Sequence, residues 1–433
     1  MIGIDWGTST SSIAIADAPA DAGRARLLAL EPDGSTRLPS TVWIPREPCF
    51  DAPMDETGLA MVIAPELVRR GALAFGEAAT ASMLGGDDSG FYVKSPKSFL
   101  GADLRPRQIE NFTALVARML DHLLARAEQA LGDRPRRAVL GRPVHYHGTR
   151  GSVGDTQALG IMRAAAAAAG LEEVRFLLEP VAAAYAYETT LDRERRVLIV
   201  DAGGGTTDLT LMRLGPRRAA RPDRAGDVLA TAGDRVGGTD LDARLAFRAF
   251  TPALGRETLL ETGLPIPNHH YVDLCSVADV NAQTRFGSAA TAEALAEYAR
   301  GAREPDALAR LRRVQATGGS FRLNRCAERG KVDLSDAQTV TVDLDWIEPQ
   351  LSLAATRGDL AWAAEPLLDT VGRLAEEIVD AAGAGPEVVF VTGGTALSPV
   401  VADGLRARLG AQELVVGDLF GSVATGLGLA ASR

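Results

Sequence analysis

Ile2-Gly3-Ile4-Asp5-Trp6-Gly7-Thr8-Ser9-Thr10 stands at the start of the chain, and a related phrase returns further along as Val197-Leu198-Ile199-Val200-Asp201-Ala202-Gly203-Gly204-Gly205-Thr206-Thr207-Asp208. Each copy joins an apolar run to an aspartate, a glycine turn with hydroxyl side chains, and a second apolar run. This order predicts a strand, a tight turn and a returning strand. Because the phrase occurs twice, we infer an internal duplication.

The residue types in the two turns suit a phosphate-binding site. Glycines let backbone N–H groups approach a polyphosphate closely, and Thr and Ser add hydroxyl donors. Asp5 and Asp201 supply hard oxygen ligands that can hold a hydrated Mg²⁺ ion. Either hairpin alone could be only a tight turn. Both together, with a lysine to neutralise charge, predict a clamp around the phosphates of a nucleoside triphosphate.

Lysine occurs at only three positions, Lys94, Lys97 and Lys331, whereas arginine fills the other basic positions. Codon bias with chance survivors is one explanation. The other is that a compact ammonium group is needed there, because lysine and arginine are not interchangeable. All three lie in motif-like stretches, VKSPKSFLG for the first two and AERGKVDLS for the third.

Further stretches resemble the DnaK-type heat-shock chaperones, in the family's own order along the chain. The two hairpins are similar to the phosphate-1 and phosphate-2 motifs of the superfamily of actin, sugar kinases and heat-shock ATPases. The other matching stretches are Lys97–Gly101, Glu179–Tyr187, Gly233–Asp242, Arg329–Ser335 and Val391–Thr395. The phrases VKSPKSFLG and LLEPVAAAYAYE are most similar to the short YegD-like chaperones of this family.

The resemblance implies an α/β fold: a two-lobed actin-like ATPase with duplicated, ribonuclease H-like α/β domains and inserted subdomains. Alternating strands and helices in two repeated halves agree with two lobes around a cleft. Lobe I is expected over residues 1–195 with an insertion at about 39–134, and lobe II over 196–409 with an insertion at about 233–350. Residues 410–433 are expected to return to lobe I.

The resemblance also implies Mg²⁺-dependent binding and slow hydrolysis of ATP, with ADP as a second ligand. The catalytic residues would be Lys97, Glu179, Asp201 and Thr206, and Lys94 is a second candidate for the cationic role. Asp5 and Asp201 would hold Mg²⁺ through water. The nucleotide-binding residues that the resemblance implies are Asp5, Gly7, Thr8, Ser9, Thr10, Gly203, Gly204, Gly205, Thr206, Gly237, Gly238, Glu328, Lys331, Ser335, Gly393, Gly394 and Thr395.

Three features depart from the family. Val332 and Leu397 occupy the positions of its two base-stacking arginines, so we expect an apolar base site with weak adenine selectivity. Leu159 occupies the position of its interdomain-coupling arginine. The sequence stops at Arg433 without the family's β-sandwich, so we expect a chaperone ATPase that lacks a peptide-binding domain and acts with protein clients or co-chaperones.

Two other functions share the superfold. One is a small-molecule kinase, since fold does not fix function. The chaperone-like phrase EPVAAAYAY argues against it, and no sugar-binding constellation stands out. The other is an actin-like filament or a nucleotide-dependent scaffold. Phosphate release without an acceptor argues against the kinase, and light scattering on ATP addition tests for filaments.

Composition excludes several classes of protein. The 433 residues carry a formal net charge of -10, and the arginines are dispersed along the sequence, which argues against a nucleic-acid partner. No apolar run reaches the length of a membrane span, and a strand starting at Ile2 leaves no room for a signal peptide. Three widely spaced cysteines agree with a reducing cytoplasm.

Hydrophobic periodicity gives a coarse map of the elements. It predicts helices over 107–130, 291–312 and 366–382, with irregular stretches over 31–90 and 251–285. His269 and His270 fall in the second irregular stretch, and they match no metal-ligand spacing, so we expect a solvated loop there. The fragment Gly426-Leu427-Gly428 lacks the context of a dinucleotide fingerprint, and we interpret it as close packing.

Overall fold

The computed structural model describes residues 1–16, 25–45, 72–85, 90–146, 151–221, 224–410, 413–418 and 421–432. These residues form a mixed α/β protein. The strands are β1 (Ile2–Trp6), β2 (Thr10–Ala16), β3 (Ala25–Leu27), β4 (Leu38–Pro39), β5 (Thr41–Pro45), β6 (Ala74–Phe75), β7 (Gly90–Lys94), β8 (Arg137–Arg142), β9 (Glu173–Leu178), β10 (Arg195–Ala202), β11 (Thr207–Leu214), β12 (Val228–Asp234), β13 (Thr339–Asp343), β14 (Ser352–Thr356), β15 (Val388–Thr392) and β16 (Glu413–Val416).

The described helices lie between and after these strands, and those within residues 238–333 follow one another without an intervening strand. They are α1 (Gly76–Leu84), α2 (Pro106–Leu131), α3 (Ser152–Ala168), α4 (Glu179–Glu188), α5 (Pro216–Ala219), α6 (Gly238–Ala249), α7 (His269–Cys275), α8 (Val280–Gly287), α9 (Ala289–Gly301), α10 (Pro305–Ala316), α11 (Ser320–Asp333), α12 (Arg357–Ala382), α13 (Pro399–Leu409) and α14 (Ser422–Ala431). None of the helices within these described residues is long and apolar enough to cross a bilayer.

Two sheets share one strand arrangement. The first has the order β3-β2-β1-β8-β9, with β4 also pairing to β2, and the second has the order β12-β11-β10-β15-β16. In each sheet an antiparallel hairpin, β1–β2 or β10–β11, is followed by parallel pairing of its first strand to a later strand. Asp5 and Asp201 therefore lie at the carboxyl ends of corresponding strands, where α/β sheets bind ligands.

Helices α4 and α14 join the two sheets. Val139 of β8 and Ile199 of β10 belong to one apolar core with side chains of α4 and α14. Any side chain at Gly426 would overlap the backbone of Ala182, and one at Gly428 would lie 3.0 Å from Ala14 Cβ. The prediction of close packing at Gly426-Leu427-Gly428 is confirmed. This packing fixes the position of one hairpin relative to the other.

The predicted helix over 107–130 is confirmed by α2, but the irregular stretch over 31–90 is wrong in part. Its described residues include the three-stranded sheet β6-β5-β7 and helix α1. These strands are short, so alternation gives little signal in the sequence. Residues 46–71 and 86–89 of this stretch lie outside the described residues.

The expected loop over 251–285 is also wrong, because it contains α7 and α8. His270 is buried and its ring packs on His269, with centroids 3.9 Å apart. The helix buries Tyr271, Leu274 and Cys275, whose spacing gives one apolar face too short to stand out in the sequence. No group of three or more possible metal ligands occurs in the described part of the chain.

Two helix boundaries differ from the predictions. The helix expected over 291–312 is two helices, α9 and α10, and Pro305 at the first position of α10 explains the second start. The last long helix starts at Arg357 rather than at Pro366. Thr356 and Asp359 form a capping box there, and Pro366 lies inside the helix.

Candidate functional site

The turns of the β1–β2 and β10–β11 hairpins face each other in direct contact. A side chain at Gly204 would overlap Ser9 Oγ, and one at Gly205 would lie 2.9 Å from Thr8 Cγ2. Only glycine permits this approach of two backbones. Thr8 and Thr206 are both buried at the junction. The two turns therefore form one polar surface built from both sheets.

Segments from later in the chain brace the second turn. The backbone N–H of Gly238 donates to Gly203 O at 3.0 Å, and Thr239 N donates to Gly204 O at 2.7 Å. Thr395 Oγ1 donates to Gly203 O at 2.8 Å. Gly237 packs against the backbone of the turn, because a Cβ atom at Gly237 would lie only 2.7 Å from Gly204 C. These contacts from later segments of the chain therefore hold the second turn in place.

A cavity of about 570 Å³ lies beside the two turns, within the size range of ligand pockets. Gly205 and Gly237 are predicted site residues that do not line it: Gly205 packs against Thr8 of the facing turn, and Gly237 packs on the backbone of Gly204. The predicted residues that do line it are Asp5, Gly7, Thr8, Ser9, Thr10, Lys97, Glu179, Asp201, Gly203, Gly204, Thr206, Gly238, Glu328, Lys331, Ser335, Gly393, Gly394 and Thr395.

Lys97 is buried at the wall of the cavity in an ion pair with Glu179, the first residue of α4. Ser95, with a φ of 55°, starts the short 3₁₀ turn that carries Lys97 inward. Burial acts to lower the pKa of the lysine, but Glu179 and Asp5 offset this effect and the pKa is raised. The ammonium group therefore stays charged.

Carboxylates crowd the same wall. Burial and the charge of Glu179 raise the pKa of Asp5 to about 8, and the same two causes raise the pKa of Asp201 well above its ordinary value. Such repulsion is relieved by a bound cation. Asp5 and Asp201 both border the cavity, so their carboxylate oxygens could hold a cation bound there.

Asp208 lies behind the second turn rather than in the cavity. It is buried, and its Oδ1 accepts a hydrogen bond from Val144 N at 3.0 Å, just beyond the end of β8. Burial, followed by the charge of Glu179, raises the pKa of Asp208 to about 7. The carboxylate therefore ties the second hairpin to the segment that follows β8 of the first sheet.

Lys94 takes no part in the lining of the large cavity. Its Nζ donates to Asn324 Oδ1 at 2.8 Å and to Glu328 Oε2 at 3.0 Å, both on α11. Burial opposes ionisation of Glu328, but Lys94, Arg325 and Lys331 lower its pKa to about 2. The ring of Tyr92 meets that of Phe321 nearby, at 5.5 Å between centroids. These hydrogen bonds and the ring contact thus join strand β7 to helix α11.

The far end of the cavity is apolar on its surface. Val332 and Leu397 are exposed by 60% and 49% and line the cavity, although large apolar side chains are usually covered. Lys331 lies one residue before Val332, and its Nζ is 2.7 Å from Asp242 Oδ1.

Sequence reasoning missed some residues that line the cavity. Asp242 ends the quoted stretch Gly233–Asp242, so the motif itself could have suggested it. No pattern marks the others, because each belongs to an element whose site-facing side is set only by packing. The missed residues are Arg37, Asp242, Asp336, Ser398 and Val423.

Comparison with known proteins gives two findings. The family model described as Hsp70 protein matches residues 94–254. The chain is also 30% identical over 249 residues to the chaperone protein DnaK of Elusimicrobium minutum (strain Pei191), which is 56% of this chain and 33% of that relative. The chain thus spans about a third of the relative's length. Both findings support the Hsp70 family for the matched part of the chain.

Proposed function

We propose that this protein binds Mg²⁺–ATP in the cavity between the two hairpins and slowly hydrolyses it, as a DnaK-like ATPase module. One observation carries the proposal: the facing glycine turns, the buried Lys97–Glu179 pair and the strand-end aspartates Asp5 and Asp201 all border one nucleotide-sized cavity. Phosphoryl transfer depends on positioning and on charge neutralisation, which this set of groups can supply.

The proposed architecture is a pair of duplicated lobes, 1–195 and 196–409, with residues 410–433 returning to the first. The common strand order of the two sheets supports it, as does the packing of α14 on β1 and β2. The insertions at about 39–134 and 233–350 contain β7 and α11, which meet across the cleft through Lys94 and Glu328. ATP would lie beneath this contact.

In the proposed reaction, backbone N–H groups of the turns and the hydroxyls of Thr8 and Thr206 hold the phosphates. Asp5 and Asp201 would hold hydrated Mg²⁺, which supplies charge neutralisation to the phosphates when bound. Lys97 and Glu179 place a water molecule in line with the γ-phosphorus. The water oxygen bonds to phosphorus as the bond to the bridging oxygen breaks, a proton of the water passes to a phosphate oxygen, and ADP and inorganic phosphate result.

The base would lie between Val332 and Leu397, with the ribose near Glu328, Lys331 and Ser335. Apolar contact with either face of a purine supports binding but distinguishes adenine from guanine poorly. We therefore propose a nucleotide site with weak base selectivity.

A chaperone role is a further part of the proposal, and protein clients or co-chaperones would be its partners. It rests on the relative's name, chaperone protein DnaK, and on the matching family model. We also propose a cytoplasmic location. Cys275 is buried without a disulfide, and burial raises its thiol pKa to about 12, so this cysteine suits a reducing compartment.

Isothermal titration with ATP and ADP, with and without Mg²⁺, combined with a phosphate-release assay, tests this function. We expect Mg²⁺-dependent binding and slow phosphate release without any acceptor. Phosphate transfer only in the presence of a sugar would indicate a kinase instead. An ATP-dependent rise in light scattering would indicate a filament. Absence of nucleotide binding would contradict the proposal altogether.

A further inference from the structure

One corner of the second sheet concentrates positive charge on a chain whose formal net charge is -10. Its arginines come from two separate segments, the end of the α4–β10 connection and the stretch from β11 through α5. All are exposed except Arg218, which is partly buried. We call this surface the arginine corner; its members are Arg193, Arg213, Arg217, Arg218 and Arg221.

The hairpin β10–β11 brings the two segments together. Arg195 pairs with Leu214 and Arg196 with Arg213 in the antiparallel register. Beyond the strand end, Gly215 packs directly on the other segment: a Cβ there would lie 2.8 Å from Glu194 Cα. The sequence led us to expect dispersed arginines, but Arg217, Arg218 and Arg221 are already close together in it, and strand pairing brings the segment that holds Arg193 beside them.

Two arginines next to this corner have guanidinium groups that are paired with carboxylates. Arg195 pairs with Glu413 at 2.7 Å, and Arg224 is buried and pairs with Glu188 at 2.8 Å. These two residues are neutralised within the fold. They differ in this respect from the exposed members of the arginine corner.

Within the described residues, four members of the arginine corner have no carboxylate at ion-pair distance: Arg193, Arg213, Arg217 and Arg221. Arg218 alone is paired, with Glu194 at 2.8 Å and with Asp227. Its hydrogen bond lowers the pKa of Glu194, and the charges of Arg213 and Arg221 add to this effect. One exposed carboxylate thus lies among several guanidinium groups. The arginine corner therefore carries more positive charge than the described carboxylates neutralise.

We infer that the arginine corner is a docking surface for an acidic segment of a partner protein. Guanidinium groups bind carboxylates in bidentate geometry, and exposed charge of one sign steers a partner of the opposite sign. A nucleic acid fits the corner less well, because it gains affinity from base stacking as well as from its phosphates. The exposed large apolar side chains of the described residues include no aromatic ring on which bases could stack.

The corner is remote from the nucleotide cavity. Arg195 and Asp201 stand at opposite ends of β10, a separation of roughly 20 Å along the strand. A partner on the corner therefore leaves the cavity open. Helix α4 reaches both places, because Glu179 lines the cavity and Glu188 accepts a hydrogen bond from Gly215 N at 2.9 Å.

Fluorescence anisotropy with a labelled oligoglutamate peptide tests the docking surface in the full chain. We expect saturable binding that weakens as salt is raised, since exposed charges are screened. The double variant Arg217→Glu/Arg221→Glu should bind about tenfold more weakly or worse, because it reverses two charges. The matched control Arg300→Glu/Arg303→Glu changes two exposed arginines of the second lobe and should bind as the wild type does.

Two results would overturn the inference. One is an absence of peptide binding, or binding that both double variants weaken equally. The other is tighter binding of a single-stranded oligonucleotide than of the peptide, lost in the Arg217→Glu/Arg221→Glu variant. A neutral pair, Arg217→Gln/Arg221→Gln, should give an intermediate loss, which separates charge from misfolding. None of these measurements needs nucleotide, so they stand apart from the ATPase assay.

Discussion

The Nζ atom of Lys94 lies 3.0 Å from Oε2 of Glu328, and this ion pair joins β7 to α11 across the cleft. Lys97, three residues later, instead lies buried beside Glu179 and borders the cavity. The two lysines therefore have different surroundings despite their shared motif. Their exchange for alanine should have different consequences.

Lys97→Ala should slow single-turnover ATP hydrolysis by on the order of 10²-fold, because a buried cation beside the transferred phosphoryl group is lost. Lys94→Ala serves as the matched control and should retain most of the rate. Rapid-quench measurement with excess enzyme checks both. If only the Lys94 variant loses turnover, the catalytic lysine is assigned to the wrong position.

Lys94→Ala should accelerate ADP release by roughly threefold to tenfold, because a partly buried cross-cleft ion pair is removed. Stopped-flow displacement of a fluorescent ADP analogue measures the rate. Glu328→Gln removes the same pair and also changes a side chain placed near the ribose, so its effect should be at least as large. A release rate unchanged in Lys94→Ala would show that the contact does not restrain the cleft.

Asp201→Asn should weaken Mg²⁺–ATP binding by roughly 10- to 100-fold, the usual cost of losing a residue that orients metal-bound groups. Binding of ADP in the presence of a chelator should change much less, since no metal is then involved. Isothermal titration separates the two cases. Equal Mg²⁺–ATP affinity in variant and wild type would remove this aspartate from the metal site.

In the absence of a bound cation, the free energy of unfolding of Asp5→Asn should rise relative to that of the wild type as pH rises. Burial, and next the charge of Glu179, raises the folded-state pKa of Asp5 to about 8, from an ordinary value of 3.8. The stability linked to its proton is present below about pH 4 and is lost as pH rises through about 8. Relative to wild type, the variant should gain about 1–2 kcal/mol in free energy of unfolding between pH 6 and 8.

Urea unfolding of both proteins in a chelating buffer measures this difference, and the comparison cancels groups common to both. Saturating Mg²⁺–ADP should reduce it, because a bound cation stabilises the ionised aspartate of the wild type. A difference that stays constant with pH would contradict the raised pKa.

ATP and GTP should bind within about tenfold of each other, because apolar contact with Val332 and Leu397 suits any purine face. Leu397→Arg should tighten ATP binding by several-fold, since a guanidinium stacked on the base adds about 0.5–2 kcal/mol. Calorimetry with both nucleotides measures these affinities. A strong preference of the wild type for ATP would count against the apolar base site.

The two hairpins and most of the residues that border the cavity could be predicted from the order of residues alone. Glycines, hydroxyls and aspartates in a fixed order specify a local turn, and local turns form wherever the chain supplies those residues. The sequence pattern therefore predicts that Asp5 and Asp201 lie at strand ends. The duplicated phrase likewise anticipated the shared strand order of the two sheets.

Which side chains from distant segments meet depends instead on how the sheets and helices pack together. VKSPKSFLG offers two lysines, and it is packing that buries Lys97 against α4 while Lys94 reaches α11. Strand pairing places Arg196 opposite Arg213 and so brings the segment that holds Arg193 beside the second segment of the arginine corner, although their spacing in the sequence carries no sign of it. Local pattern fixes a turn through its own few residues, whereas these contacts depend on how whole sheets and helices pack together.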